Sequence, residues 1–344
     1  MKRVLPVFTL ALLFLSCSKK EKNDLLWERS FEKGEAYFIK SSSDSGFQAC
    51  GEAGGNPYFI RFSRNRNVVI ELKPDYPGLF SSSWFDTTGY VTAGSKEGQM
   101  LLMRHGPEGN VLWEKNLEAG FRIDFTLMFY SGSGEFLAIG TPGPDSLTTG
   151  ATGIYFIRFD TAGNIISEKT VNETGFISSA KAALDNSGNI YLAITRKTTI
   201  SKTIASVAKY NDQFEKVWEK TLFNNPDFAS SSLAVQTGED GNLFISGKTE
   251  LPVDGKYVSN SFLVSLSADG EFSDQWQSKR YLENYNEGSA LIFDDSNNLL
   301  LLNRNCFILN MVNSYDGADA GILRSFGVCV SKDTDALGAD IDIN

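Results

Sequence analysis

Three strand patterns that return in phase along this sequence predict an all-β chain arranged as a β-propeller of about six four-stranded blades. The first is an apolar strand that carries Trp or a substitute and then a charged pair. Its copies are LLWER at 25, VVIEL at 68, VLWEK at 111, IISEK at 165, KVWEK at 216, SDQWQ at 273 and ILRSF at 322. Trp27, Ile70, Trp113, Ser167, Trp218 and Trp276 mark it, at spacings of 43 to 58 residues, which is the period of a propeller blade. The second is a polar turn leading into a strand that ends small or polar: GFQACGE at 46, GYVTAGS at 89, GEFLAIGT at 134, GNIYLAIT at 188, GNLFISGK at 241 and NNLLLLNR at 297. The third is YFIRF at 58, MLLMR at 100, YFIRF at 155, ASVAKY at 205, FLVSL at 262 and FILNM at 307.

Short strands at a regular pitch, grouped in fours, suggest sheets repeated about an axis. The stretch Gly89 to Leu117 is the clearest unit, with apolar runs at Tyr90 to Ala93, Met100 to Met103 and Val111 to Trp113 separated by polar turns that carry Gly. Five or seven blades are the neighbouring alternatives. Paired β-sandwiches are the rival fold, but they leave one pattern recurring in phase over most of the chain unexplained. No window shows the i, i+3, i+4, i+7 spacing of an amphipathic helix. Seven copies of the first pattern flank six of the others, so one terminal strand closes the ring or lies spare. The pattern does not decide between Leu25 to Arg29 and Ile322 to Phe326.

In chain order, residues 1–16 read as a secretory signal: Lys2 and Arg3, an apolar run from Val4 to Leu15, then Ser16 before Cys17. The run is shorter than the ~20 residues that span a bilayer. FLSC at 14 to 17 resembles the lipobox of bacterial lipoproteins, with Phe14 where Leu is usual. The resemblance implies cleavage before Cys17, a covalent lipid on its thiol, and a durable membrane anchor, because each buried CH2 contributes ~0.8 kcal/mol. Residues 17–24 form a polar tether. By the sorting rules of such lipoproteins, Ser18 favours the outer membrane. The basic spacer, unlike the acidic run of surface-displayed Bacteroidetes lipoproteins, favours the periplasmic face over the cell surface. Residues 25–330 are the propeller and 331–344 an acidic tail.

GNVLWEKNL at 109 to 117 and EKVWEKTLF at 215 to 223 resemble the Gly-x-x-x-Trp strand of quinoprotein-like propellers. There the Trp docks between neighbouring blades, which implies a blade-packing role for Trp27, Trp113, Trp218 and Trp276.

The chemistry that the sequence lacks narrows the function. A net charge of −10, with its one basic cluster beside the anchor, argues against nucleic acid. The single histidine, His105, sits in RHGPEG and reads as a solvated turn residue. One His makes no multi-His metal site, and no Gly-x-Ser-x-Gly elbow or phosphate loop accompanies it. Asp124, Asp185, Asp240 and Asp294 read as turn caps, and the acidic tail lacks the spacing of a calcium loop. Beyond Cys17, the thiols Cys50, Cys306 and Cys329 carry no Cys-x-x-Cys spacing, and Cys306 to Cys329 is the candidate disulfide. No catalytic residue, metal or cofactor is expected.

The reading is a membrane-anchored envelope lipoprotein whose non-catalytic propeller binds or scaffolds an envelope protein. The stretches Thr141 to Gly153, Thr195 to Thr203 and Lys248 to Ser259 are the insertions that would build its binding surface. The alternatives are a glycan-binding lipoprotein of a polysaccharide-uptake system and a quinoprotein-type or propeller-lyase enzyme.

Overall fold

The computed structural model describes residues 34–41, 46–142, 153–173, 175–199, 202–223, 229–238, 241–253, 256–277, 287–293, 299–304, 309–312 and 325–326. Every element among them is a strand. They form six four-stranded antiparallel sheets, each taking its strands in chain order. Blade 1 is β1 (Gly34–Ser41), β2 (Phe47–Ala53), β3 (Asn56–Phe62) and β4 (Val68–Leu72). Blade 2 is β5 (Leu79–Asp86), β6 (Gly89–Lys96), β7 (Gln99–His105) and β8 (Val111–Leu117). Blade 3 is β9 (Phe125–Tyr130), β10 (Glu135–Thr141), β11 (Gly153–Asp160) and β12 (Ile165–Asn172). Blade 4 is β13 (Phe176–Leu184), β14 (Ile190–Thr199), β15 (Lys202–Tyr210) and β16 (Lys216–Thr221). Blade 5 is β17 (Ala229–Thr237), β18 (Leu243–Val253), β19 (Lys256–Leu266) and β20 (Phe272–Gln277). Blade 6 is β21 (Glu287–Phe293), β22 (Leu299–Arg304), β23 (Leu309–Val312) and β24 (Ser325–Phe326).

The fourth strand of the last sheet thus comes from the C-terminal segment, with Leu309 opposite Phe326. The segment Leu25 to Arg29 lies outside the described residues.

The middle strands are buried on both faces. β6 is buried from Gly89 to Ser95, and β10 from Phe136 to Thr141. Outer strands such as β8 and β12 alternate between exposed and half-buried positions. That gradient is the one expected when sheets stack face to face around an axis and leave only the outer edge in water. The core therefore lies between blades. Leu137, Ile139 and Phe156 of blade 3 meet Leu192, Ile194 and Tyr210 of blade 4 in one such layer. Tyr191, Ala193 and Val207 of blade 4 meet Val235, Ile245 and Phe262 of blade 5 in the next.

The inner strands are rich in hydroxyls, which hydrogen-bond main chain across the blade boundaries. Ser81 Oγ donates to the Thr126 carbonyl at 2.7 Å, and Thr126 Oγ1 donates to that of Gly94 at 2.7 Å. Thr195 Oγ1 receives the Ser232 amide at 3.0 Å, and Ser230 Oγ that of Ala205 at 2.9 Å. Edge groups that lack a sheet partner are satisfied in this way.

A bulge breaks the register of the inner strand in blades 1, 2, 4, 5 and 6, for example between Phe80 and Ser82 and between Ser232 and Ala234. The bulge explains a glycine. It drives the Leu79 carbonyl against Gly94, where a Cβ would lie 1.9 Å from the oxygen, so blade 2 carries Gly at that position.

Candidate functional site

One face of the ring is built up over three consecutive blades. The loops between second and third strands emerge on this face. In blades 1 and 2 these hairpins are tight, closing at Ala53↔Asn56 and Lys96↔Gln99. In blade 5 the pairing of β18 with β19 runs on to Val253↔Lys256, six residues past Gly247, whereas Lys96 is two past Gly94. Four more residues carry that hairpin about 13 Å farther. In blade 4, β14 and β15 pair out to Thr199↔Lys202. In blade 3 the corresponding connection leaves β10 at Thr141 and re-enters at Gly153. The three insertions of the sequence are thus neighbours on one face, two of them as extended hairpins. Residues 143–152 of the third lie outside the described residues.

An ion cluster anchors blade 4 to the strand connection from blade 3. The Glu173 side chain, 1% exposed, follows β12 and accepts from Arg196 Nη2 at 2.7 Å, Lys216 Nζ at 2.7 Å and Tyr210 Oη at 2.8 Å. Glu219 takes a second bond from Arg196 at 2.7 Å and one from Lys216 at 2.8 Å. Burial opposes the Arg196 cation, but the Glu219 and Glu173 carboxylates outweigh it and raise its pKa. The same balance raises Lys216 and lowers Glu219, where the bonds from Lys216 and Arg196 overcome desolvation. Burial, followed by Glu173, raises the Tyr210 hydroxyl. Two acids and two bases saturate one another, so the cluster holds geometry and leaves no carboxylate poised as a general acid or base.

The aromatic slots sit on the opposite side of each blade boundary, at the turns between third and fourth strands. Trp113 of blade 2 donates its indole N–H to the Thr161 carbonyl of blade 3 at 3.1 Å, and Gly163 lies under its ring. Trp218 of blade 4 donates to the Ala268 carbonyl of blade 5 at 3.3 Å over Gly270. Both glycines have φ of 81°, and a Cβ on either would meet the indole at 3.0 Å. Ile70 fills the slot of blade 1, against Gly109.

Blade 3 carries Ser167 instead. Phe214 of blade 4 occupies the glycine position of the facing turn, at φ 60° and 2% exposed. It stacks on Phe156 at 5.0 Å, while Arg158 lies over its ring and donates to the Asp212 carbonyl at 2.7 Å. Arg158 therefore replaces the missing indole donor, and Phe214 the missing ring.

In blade 5, Ser265 pairs with Asp274, as Arg104 pairs with Trp113. Trp276 lies two positions farther along, opposite Leu263. Trp27, Cys17, Cys306 and Cys329, as well as Asp240 and Asp294, lie outside the described residues. Cys50 is a free, buried thiol whose pKa burial pushes up. Asp185 caps its turn, accepting from the Asn189 amide and side chain at 2.9 and 2.7 Å. Asp124 pairs with Arg122 at 2.6 Å.

The expectation of a solvated His105 is corrected. It ends β7 rather than sitting in the turn, is 1% exposed, and faces Thr92 Oγ1 at 3.3 Å through Nε2. The turn begins one residue later, where the Gly106 amide donates to the Asn110 carbonyl, so the imidazole belongs to the apolar layer between blades 1 and 2. Burial lowers its pKa, and the Gly109 main chain and Glu114 offset this only in part. Among the described residues no group of three His, Cys, Asp or Glu side chains could hold a metal.

The chain's arrangement of four-stranded sheets has clear counterparts among solved structures. The polysaccharide lyase Uly1 aligns at a TM-score of 0.58 and 10% identity, over 88% of this chain and 82% of that one. A catalytically inactive virginiamycin B lyase from Staphylococcus aureus with quinupristin gives 0.58 and 12%, over 84% of each chain. The WD40 domain of Neurospora crassa Pan2 gives 0.55 and 10%, over 82% and 76%. The chain is a β-propeller. At these identities the likeness is one of fold, a scaffold that carries lyases and WD40 domains alike. No family model matches the sequence, and no curated protein matches it.

Proposed function

We propose that this propeller is a non-catalytic binding or scaffolding module, tethered to the envelope by lipid on Cys17 and recognising an envelope protein through the hairpin face of blades 3 to 5. The observation that carries the reading is the placement of three insertions side by side on one face, on top of blades whose cores follow the common repeat. Insertions distributed by tolerance alone have no reason to cluster, whereas a binding surface needs contiguous area. The N-terminal sequence supports the anchor, and the tether favours the periplasmic face of the outer membrane. The ion cluster of Glu173, Arg196, Lys216 and Glu219 supports rigid presentation, because it locks the base of the blade 4 hairpin.

The disposition of His105 favours binding over lyase chemistry. The virginiamycin B lyase is catalytically inactive as a histidine-to-alanine variant. Here the sole histidine is enclosed between blades, its proton affinity lowered, with no substrate access at 1% exposure.

The anchor is tested by growing the native host with an alkyne fatty acid and comparing wild type with Cys17→Ala. Label on the wild type alone, with the variant released from membranes, is the expected result. Equal membrane retention without label would contradict the anchor.

A further inference from the structure

We propose that the axial channel of the propeller is an oxyanion site, with the Lys181 ammonium binding the carboxylate or phosphate group of a small ligand that enters along the axis. This extends beyond the hairpin face, because it concerns the channel and needs no protein partner.

Lys181 stands in the middle of β13, the inner strand of blade 4, opposite Ala193. Ala193 is fully buried in the layer between blades 4 and 5. β13 has its own sheet on one side and β17 of blade 5 beside it, so a mid-strand side chain that remains exposed has only the axis to open onto. Residues at the same register level of the other inner strands are neutral. They are Phe38, Ser82, Leu127, Ala234 and Ala290, which stand opposite Cys50, Ala93, Ile139, Ser246 and Leu302 respectively. The inner strands of blades 3 and 5 carry no acid or base at all along Phe125–Tyr130 and Ala229–Thr237.

Among the described residues at this level, the ammonium therefore stands alone among hydroxyls and apolar side chains. Water reaches it, yet the surrounding protein desolvates it, and no carboxylate offsets that effect. An isolated cation in such surroundings is attracted to an anion more strongly than a surface lysine is, because screening and competing hydration are both reduced. Oxyanions suit this setting. A carboxylate or phosphate accepts a charge-assisted hydrogen bond from an ammonium.

The full chain, reductively methylated with carbon-13 on its lysines, tests this by NMR. Lys181 is assigned by loss of its signal in Lys181→Gln, with Lys181→Met as a second variant should the first misfold. Expected is a Lys181 signal that titrates below those of the other lysines. Inorganic phosphate or acetate should shift it saturably, with half-saturation at about 1 mM or below, and raise its titration midpoint. Response to phosphate alone would assign the site to phosphate groups, and response to acetate alone to carboxylates. Linear shifts with both anions, matching those of the other lysines, would overturn the proposal, as would a Lys181 that titrates with the rest.

Discussion

Phe214 holds, at φ 60°, the turn position that Gly109, Gly163 and Gly270 hold elsewhere, and the residue of the preceding blade in register with it is Ser167 where Trp113 and Trp218 stand in theirs. Large and small have changed places across one blade boundary. The pair behaves as a unit if the slot has a fixed volume. Phe214→Gly alone should cost about 3 kcal/mol for the lost ring and the cavity left behind. Ser167→Trp alone should destabilise by overpacking, by about 1–3 kcal/mol. The double variant restores the Trp-over-Gly arrangement and should recover most of the loss. Urea unfolding of the four proteins measures the coupling, and strictly additive effects would show that the two positions do not share a slot.

Trp113→Ala removes a ring packed on Phe159 and the bond to the Thr161 carbonyl. A loss of about 3–4 kcal/mol is expected. Gly163→Ala should also destabilise, since its φ of 81° and the indole at 3.0 Å both oppose a Cβ. In a Trp113→Ala background that substitution should cost less, because only the backbone term remains. Thermal unfolding of the single and double variants distinguishes the two contributions.

Breaking the ion cluster should cost more than exposed charges do. Arg196→Met takes one cation from Glu173, 1% exposed, and from Glu219, both of which also bind Lys216. A loss of about 3 kcal/mol is expected, because a buried charge then loses one of its partners. Adding Glu219→Gln should cost little further. A loss below about 0.5 kcal/mol for Arg196→Met would mark the cluster as a surface network.

His105 gives the fold a pH dependence of known sign. Unfolded imidazole titrates near about 6.5, and burial places the folded value lower. The unfolded chain therefore binds the proton first. The His105 contribution is fully present above pH ~7 and is lost as the pH falls through the unfolded value toward the folded one. Between pH 7.5 and 5.5, wild type should lose more stability than His105→Gln. An equal loss in both would show that another group carries the dependence.

Much of the fold was legible in the sequence. The runs at Tyr90, Met100 and Val111 became β6, β7 and β8, and the six repeats became six sheets. Periodicity succeeds here because each blade solves the same packing problem with the same strand pitch. What it missed are residues that act across repeats. Phe214 stood at the first position of a Gly-x-x-x-Trp motif and was the visible signal of an exchanged slot, but only blade-to-blade register reveals its complement, Ser167. Glu173 lies in a connection that follows no repeat, so nothing in its neighbours announced the bonds from Arg196, Lys216 and Tyr210. His105 was misplaced because Gly106 and Pro107 resemble the start of a turn, while the strand runs on through the residue before them. The Trp276 position shows the same limit, since a strand pattern can slide by two residues without changing face.

Partner capture by face tests the account most directly. A photo-crosslinking residue placed at Lys202, on the blade 4 hairpin, or at Glu108, on the opposite face, is activated in native membranes with the chain anchored through Cys17. The binding account predicts one defined envelope protein joined from Lys202, absent from Glu108, and lost when the blade 5 hairpin is cut back to the length of that in blade 2. Equal products from both faces, or a Lys202 product indifferent to that trimming, would contradict it.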